Sequence, residues 1–121
     1  MRGIVLFAHG AKDPQWAEPF AAIRERVRAA RPEYPIEIAY LEIMSPTLEE
    51  AIDAVIAEGA SAVIVFPLFM AQGGHLKKDL PRILEEIRAS RPHIPISLEP
   101  ALGEAPEILE AISGWILGRA E

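Results

Sequence analysis

Two of the three histidines in the chain close apolar runs of the kind that form buried strands. His9 ends Ile4-Val5-Leu6-Phe7-Ala8-His9-Gly10, and His75 ends a run that opens with Ala62-Val63-Ile64-Val65-Phe66 and passes through Gly73-Gly74. In parallel sheets the ligand crevice lies outside the carboxyl ends of the strands. Both imidazoles are therefore expected at one edge, where they could hold a divalent cation or accept protons at neutral pH. Glu42, in Ala39-Tyr40-Leu41-Glu42-Ile43-Met44, closes a further strand pattern and reaches the same edge. Two histidines and a carboxylate form a common ligand set for a divalent first-row metal, with His9 and His75 as its nitrogen donors.

Each residue also has a plainer reading. A lone histidine beside an apolar strand is usually a structural residue, but Gly10 follows His9 at once and permits close approach by backbone or ligand. His75 stands just before Leu76-Lys77-Lys78-Asp79-Leu80, a predicted helix start. Such a start disfavours nearby positive charge, and neutral imidazole is the form that binds metals. A carboxylate between Leu41 and Ile43 is costly unless solvent or a partner is at hand. Lys12 lies three residues past His9, and Lys77, Lys78 and Arg82 follow His75. Cations collected at this edge of an acidic chain suit an anionic ligand such as a polycarboxylate. Met44, Phe69 and Met70 could offer a flat ligand an apolar floor, while His93 is expected on the surface at the opposite edge.

These residues need a scaffold, and the chain repeats itself to build one. Displaced by 60 residues, Arg28-Ala29-Ala30-Arg31-Pro32 falls on Arg88-Ala89-Ser90-Arg91-Pro92, and Glu50-Ala51-Ile52 on Glu110-Ala111-Ile112. Each half reads as strand, helix, Pro-marked turn, strand, helix. Strands are predicted near 2–8, 35–41, 61–67 and 94–99. The first helix is predicted near 14–30, with Asp13 as N-cap and Pro14 as first residue. The second runs from Ser45-Pro46-Thr47 to Gly59, with Thr47 and Glu50 as a capping box. The third and fourth are placed near 76–90 and 105–118. The expectation is one α/β domain over 1–121 with three layers. A four-stranded parallel sheet from two βαβα halves would carry helices on both faces, in a flavodoxin-like topology. His9 aligns with Phe69 at this displacement, and His75 lies in a longer loop, so the halves differ at the chemically active edge.

Composition narrows the function. Half the residues are hydrophobic and a quarter charged, a globular balance. A net charge of −6 disfavours nucleic acid. No apolar run reaches the ~18 residues of a membrane span. Met1-Arg2-Gly3 leads directly into a strand pattern without a signal-peptide core, so cytoplasm is the expected location. The absence of cysteine removes disulfides, thiolate metal sites and cysteine nucleophiles. No Gly-rich dinucleotide fingerprint, Walker A motif or serine elbow occurs. Ala8 precedes His9-Gly10 where histidine phosphatases carry an arginine, which argues against phosphoryl transfer.

The combined pattern resembles the sirohydrochlorin chelatases of the CbiX/SirB branch of class II chelatases. The strand-His-Gly opening carries the likeness, with Asp13-Pro14 and Trp16, Leu41-Glu42-Ile43-Met44-Ser45-Pro46, the Pro67–His75 run and Asp79-Leu80-Pro81. The resemblance implies ATP-independent insertion of Co²⁺, Fe²⁺ or Ni²⁺, as substrate, into sirohydrochlorin, with no tightly bound cofactor. It implies His9 and His75 as catalytic, metal-handling residues with Glu42 as acidic partner, and a short form acting as a homodimer. Lys12, Gly73, Gly74, Lys77 and Lys78 are the expected contacts for the tetrapyrrole carboxylates. The competing reading is a non-catalytic tetrapyrrole or metal carrier using the same cleft.

Overall fold

Four Ile/Val-rich segments pair as parallel strands in the computed structural model, which covers residues 1–121. The strands are β1 (Arg2–Ala8), β2 (Ile36–Tyr40), β3 (Ala62–Pro67) and β4 (Ile96–Leu98). The helices are α1 (Glu18–Ala30), α2 (Leu48–Ala57), α3 (Gly74–Ala89) and α4 (Pro106–Ala120). Strand order is β2-β1-β3-β4, an open parallel sheet. The fold class is as expected from the sequence.

β1 and β3 lie side by side with Ile4 opposite Ile64 and Val5 opposite Val65, so the sheet register equals the sequence repeat. The halves nevertheless diverge in sense: β2 lies on one side of this central pair and β4 on the other. Right-handed crossovers then place α1 and α3 on opposite faces. The order reverses between β1 and β3, which is where a doubly wound sheet opens its ligand crevice.

The main core lies under α2 and α3, where Val5, Phe7, Val63 and Val65 meet Ile52, Val55, Leu80 and Leu84, all essentially buried. Thr47 caps α2 as the sequence suggests: its hydroxyl accepts from the Glu50 N–H (3.2 Å), and the Glu50 carboxylate accepts from the Thr47 N–H (2.8 Å). The other face is thinner. Trp16 packs on Phe20 and Tyr40, with ring centroids 4.8 and 6.4 Å apart, yet α1 buries no residue fully. α4 also has no buried residue, and Trp115, Ile116 and Leu117 are all more than half exposed.

Several boundaries differ from expectation. Pro14–Ala17 forms a 3-10 turn capped by Asp13, whose side chain accepts from the Gln15 N–H (2.9 Å). The α-helix starts at Glu18 because Pro19 is tolerated only in a first turn. α3 starts at Gly74, not near 76: extended Gly73 is its N-cap, so His75 is a first-turn helical residue and not the end of a loop. β4 is only three residues long, because Pro95 and Pro100 flank it closely. A second 3-10 turn, Leu102–Glu104, precedes α4.

Candidate active site

His9 follows the last residue of β1 and is solvent-accessible, whereas the strand behind it is closed. Its ring stands edge-on to Phe69 (centroids 6.2 Å apart), which in turn packs edge-on to Phe7 (5.6 Å). Phe69 is buried, so the imidazole rests on a fixed aromatic pair. Glu42 approaches from the loop after β2, with Oε1 3.1 Å from His9 Nε2 and both side chains 55% exposed. A carboxylate so placed orients an imidazole and stabilises the imidazolium formed when the ring takes a proton.

Gly10 makes this pairing possible. Its φ is +103°, and a Cβ there would overlap the Glu42 carbonyl oxygen. The loop after β1 therefore sits directly against the loop after β2. Backbone bonds continue the seam: the Leu41 N–H donates to Ala8 (2.9 Å) and the Glu42 N–H to His9 (3.1 Å). The Met44 N–H then returns to the Glu42 carbonyl (2.7 Å) across Ile43, whose φ is +69°. That bond closes a three-residue γ-turn of the strained, positive-φ kind. A β-branched residue held there costs of order 1–3 kcal/mol. No sequence rule foretells this turn at Ile43.

His75, in the first turn of α3, lines the same cleft as His9, a volume of about 370 Å³. Phe69, Gly73, Gly74 and Asp79 also line it, with Leu41, Leu76 and Ile83 as its apolar wall. The structure thus gathers four expected site residues, His9, His75, Gly73 and Gly74, in one cleft, and joins Glu42 through His9. His9, Glu42 and His75 do not converge into a ready three-ligand metal cage. Lys12, Lys77 and Lys78 are exposed, line none of the larger clefts and form no ion pair. Arg82 instead pairs with Asp79 and Glu86 (3.5 Å each). Phe69, which the sequence offers as an apolar floor for a ligand or as packing, supports His9. The repeat gave the signal for this role, since His9 and Phe69 are counterparts.

A larger groove of about 520 Å³ runs between α2 and α3 and shares Leu41 and Ile83 with the histidine cleft. Its ionisable groups are Glu49, Glu86 and, at one end, Tyr40, whose hydroxyl is shifted upward by burial. The histidine cleft is the better site because it combines bases, a carboxylate partner and the β1/β3 switch point. At the far end of the groove Arg91 donates to Asp53 from two nitrogens (2.6 and 2.7 Å) and meets Glu49 at 3.1 Å. The Arg91 hydrogen bonds hold the Asp53 carboxyl below its ordinary value and raise the guanidinium further.

Comparison with known proteins places this geometry in a family. A sirohydrochlorin cobaltochelatase of Methanococcus aeolicus is 37% identical over 84 residues, 69% of this chain and 59% of that protein. Relatives of the same name from Saccharolobus islandicus strains are 38% identical over 64% of their length, so this chain spans under two thirds of these relatives. A further one, from Saccharolobus solfataricus, is 32% identical over 93% of this chain and 91% of its own. Among solved structures, a CbiX protein of Marinobacter aquaeolei VT8 superposes with a TM-score of 0.83 at 30% identity, covering 99% of this chain and 98% of that one. The sirohydrochlorin chelatase SirB of Bacillus subtilis subspecies spizizenii, in complex with cobalt, gives 0.78 at 26% identity over 97% of this chain and 50% of that one. The CbiX family model matches residues 3–116, and with that span and these relatives the chain belongs to the CbiX family.

Proposed function

We propose that the protein is a sirohydrochlorin chelatase that inserts a divalent metal into the tetrapyrrole without ATP. The observation that carries this reading is the single cleft at the β1/β3 switch point, lined by His9 and His75, with Glu42 3.1 Å from His9. Insertion removes two pyrrole protons and delivers a partly desolvated cation. His9, half exposed, accepts the two protons one after the other and passes each to solvent, and Glu42 stabilises the imidazolium each time. His75, across the same cleft, presents a second nitrogen to the cation before transfer. Lys12, Lys77 and Lys78, exposed and in no ion pair, meet the peripheral carboxylates of the ring. Co²⁺, Fe²⁺ and Ni²⁺ are the candidate substrates, and relatives named cobaltochelatase together with the cobalt-bound SirB structure favour cobalt.

The working form in this proposal is a homodimer. A cleft of about 370 Å³ on one chain encloses only part of a tetrapyrrole, whereas small-molecule sites usually cover most of their ligand. The apolar surface left on α4 supports the same conclusion. At the 60-residue repeat, Ala51, Ile52 and Val55 of α2 are wholly buried, while their α4 counterparts include the exposed Trp115. No helix of the protein is long and apolar enough to cross a membrane.

The test is an anaerobic absorbance assay with sirohydrochlorin and Co²⁺, Fe²⁺ or Ni²⁺ in parallel. Conversion of the free-base spectrum faster than without protein is expected. Binding of the tetrapyrrole with no acceleration would replace the chelatase by the carrier reading.

A further inference from the structure

We infer that Ile43 is a substrate-contact residue whose side chain packs, together with Met70, against the flat face of the bound macrocycle. This rests on the tetrapyrrole reading of the cleft and adds a binding element to it. The two residues occupy the loops after β2 and β3, the strands on either side of β1, and so flank His9. Both are open to solvent, Ile43 at 62% and Met70 at 59%. Singly, exposed apolar side chains are ordinary. Ile43 differs because it is unfavourable twice over.

Its φ of +69° suits glycine or asparagine, and its exposed hydrocarbon contributes nothing to the core. The strain is also over-determined. The Met44-to-Glu42 bond, the Glu42-to-His9 bond and the contact of Gly10 with the Glu42 carbonyl hold the turn from three directions. Met70 is fixed in a similar way, with Gly103 seated against its carbonyl and the Gly103 N–H donating to Phe69 (3.1 Å). Two rigidly held backbones thus carry exposed apolar side chains just outside the lining of the cleft, each next in sequence to a residue, Glu42 or Phe69, that meets His9. A planar ring with an apolar face offers such side chains a matching surface. Strain maintained where apolar contact is of no use to the fold points to use by a ligand.

Ile43→Gly and Ile43→Thr separate strain from contact, since threonine keeps the branched Cβ and loses the apolar surface. Ile43→Gly is expected to raise the melting midpoint by roughly 4 °C or more as strain is released. Both variants should raise KM for sirohydrochlorin, or its Kd by absorbance titration, about 5- to 10-fold. The kcat, its pH profile and Co²⁺ affinity without tetrapyrrole should stay within about twofold of wild type. Unchanged KM and Kd in both variants would overturn the inference, as would a halved solution mass, which would make Ile43 a contact between copies. A wild-type protein that binds sirohydrochlorin without inserting metal removes the chelatase reading alone, because the Kd comparison still tests Ile43. A wild-type protein that does not bind it removes both.

Discussion

At the residue scale, the site is an imidazole supported on one side and met by a carboxylate on the other. Phe69 fixes the plane of His9, and Glu42 meets its Nε2. His9→Ala and His75→Ala are each expected to lower insertion at least ~100-fold, the usual weight of a positioned acid–base group. Both side chains are exposed, so the melting midpoint should move little, and circular dichroism would check that the fold is intact. Glu42→Gln keeps shape and loses charge; a slower kcat with nearly unchanged tetrapyrrole binding is expected in steady-state assays. The three residues were legible in the sequence because strand ends in a parallel sheet share an edge. The γ-turn at Ile43 was not, since it follows from how the loop after β1 presses on the loop after β2. Nor was the lack of ion pairs at Lys12, Lys77 and Lys78, because sequence shows that cations are near an edge and not what they touch.

At the element scale, loops tied to one another set the geometry more than the helices do. Gly10→Ala should be disruptive out of proportion to one methyl group, because it opposes a positive φ and drives a carbon into the Glu42 carbonyl. Destabilisation of ~1–3 kcal/mol by urea titration, together with lost activity, is expected. A different tie holds α2 to the turn after α3, where Arg91 grips Asp53. The folded state holds the Asp53 proton more weakly than the unfolded chain does, because Arg91 lowers that carboxyl. Its contribution is therefore complete above the unfolded value near pH ~3.9 and disappears as pH falls through the lower folded value. Asp53 is half exposed, so Asp53→Asn should cost under ~1 kcal/mol at pH 7 and progressively less below pH ~4. Denaturant curves at pH 7 and pH 3 would check this. The strands and helices themselves were readable from Ile/Val runs, Thr47, Asp13 and the Pro pairs. Their ends shifted where Pro19 and Gly73 imposed local geometry that a periodic pattern does not carry.

At the scale of the whole molecule, one face of the sheet is well covered and the other is not. α2 and α3 seal theirs with wholly buried side chains, while α1 and α4 bury none. A helix that leaves Leu109, Trp115, Ile116 and Leu117 exposed is apolar on more than one side, a pattern that belongs in an interior. Light scattering should give twice the 13.3 kDa chain mass at micromolar concentration, and Trp115→Glu should shift it toward a single chain. An unchanged dimer in that variant would move the interface away from α4. The repeat announced the pattern of α4, but only the structure shows that the rest of the chain buries none of its residues fully.

The in-register pairing of β1 with β3 has a consequence for how such a site can be specialised. Each position of β1 lies beside its own counterpart in β3, so two identical halves would present two like rings at this edge. Here the neighbours are His9 and Phe69. In the proposed mechanism one ring exchanges protons and its twin only braces it, a division of labour between siblings that a single residue change on one side is enough to create. Asymmetry in the chemistry thus comes from within the symmetry of the scaffold, with no rearrangement of the sheet.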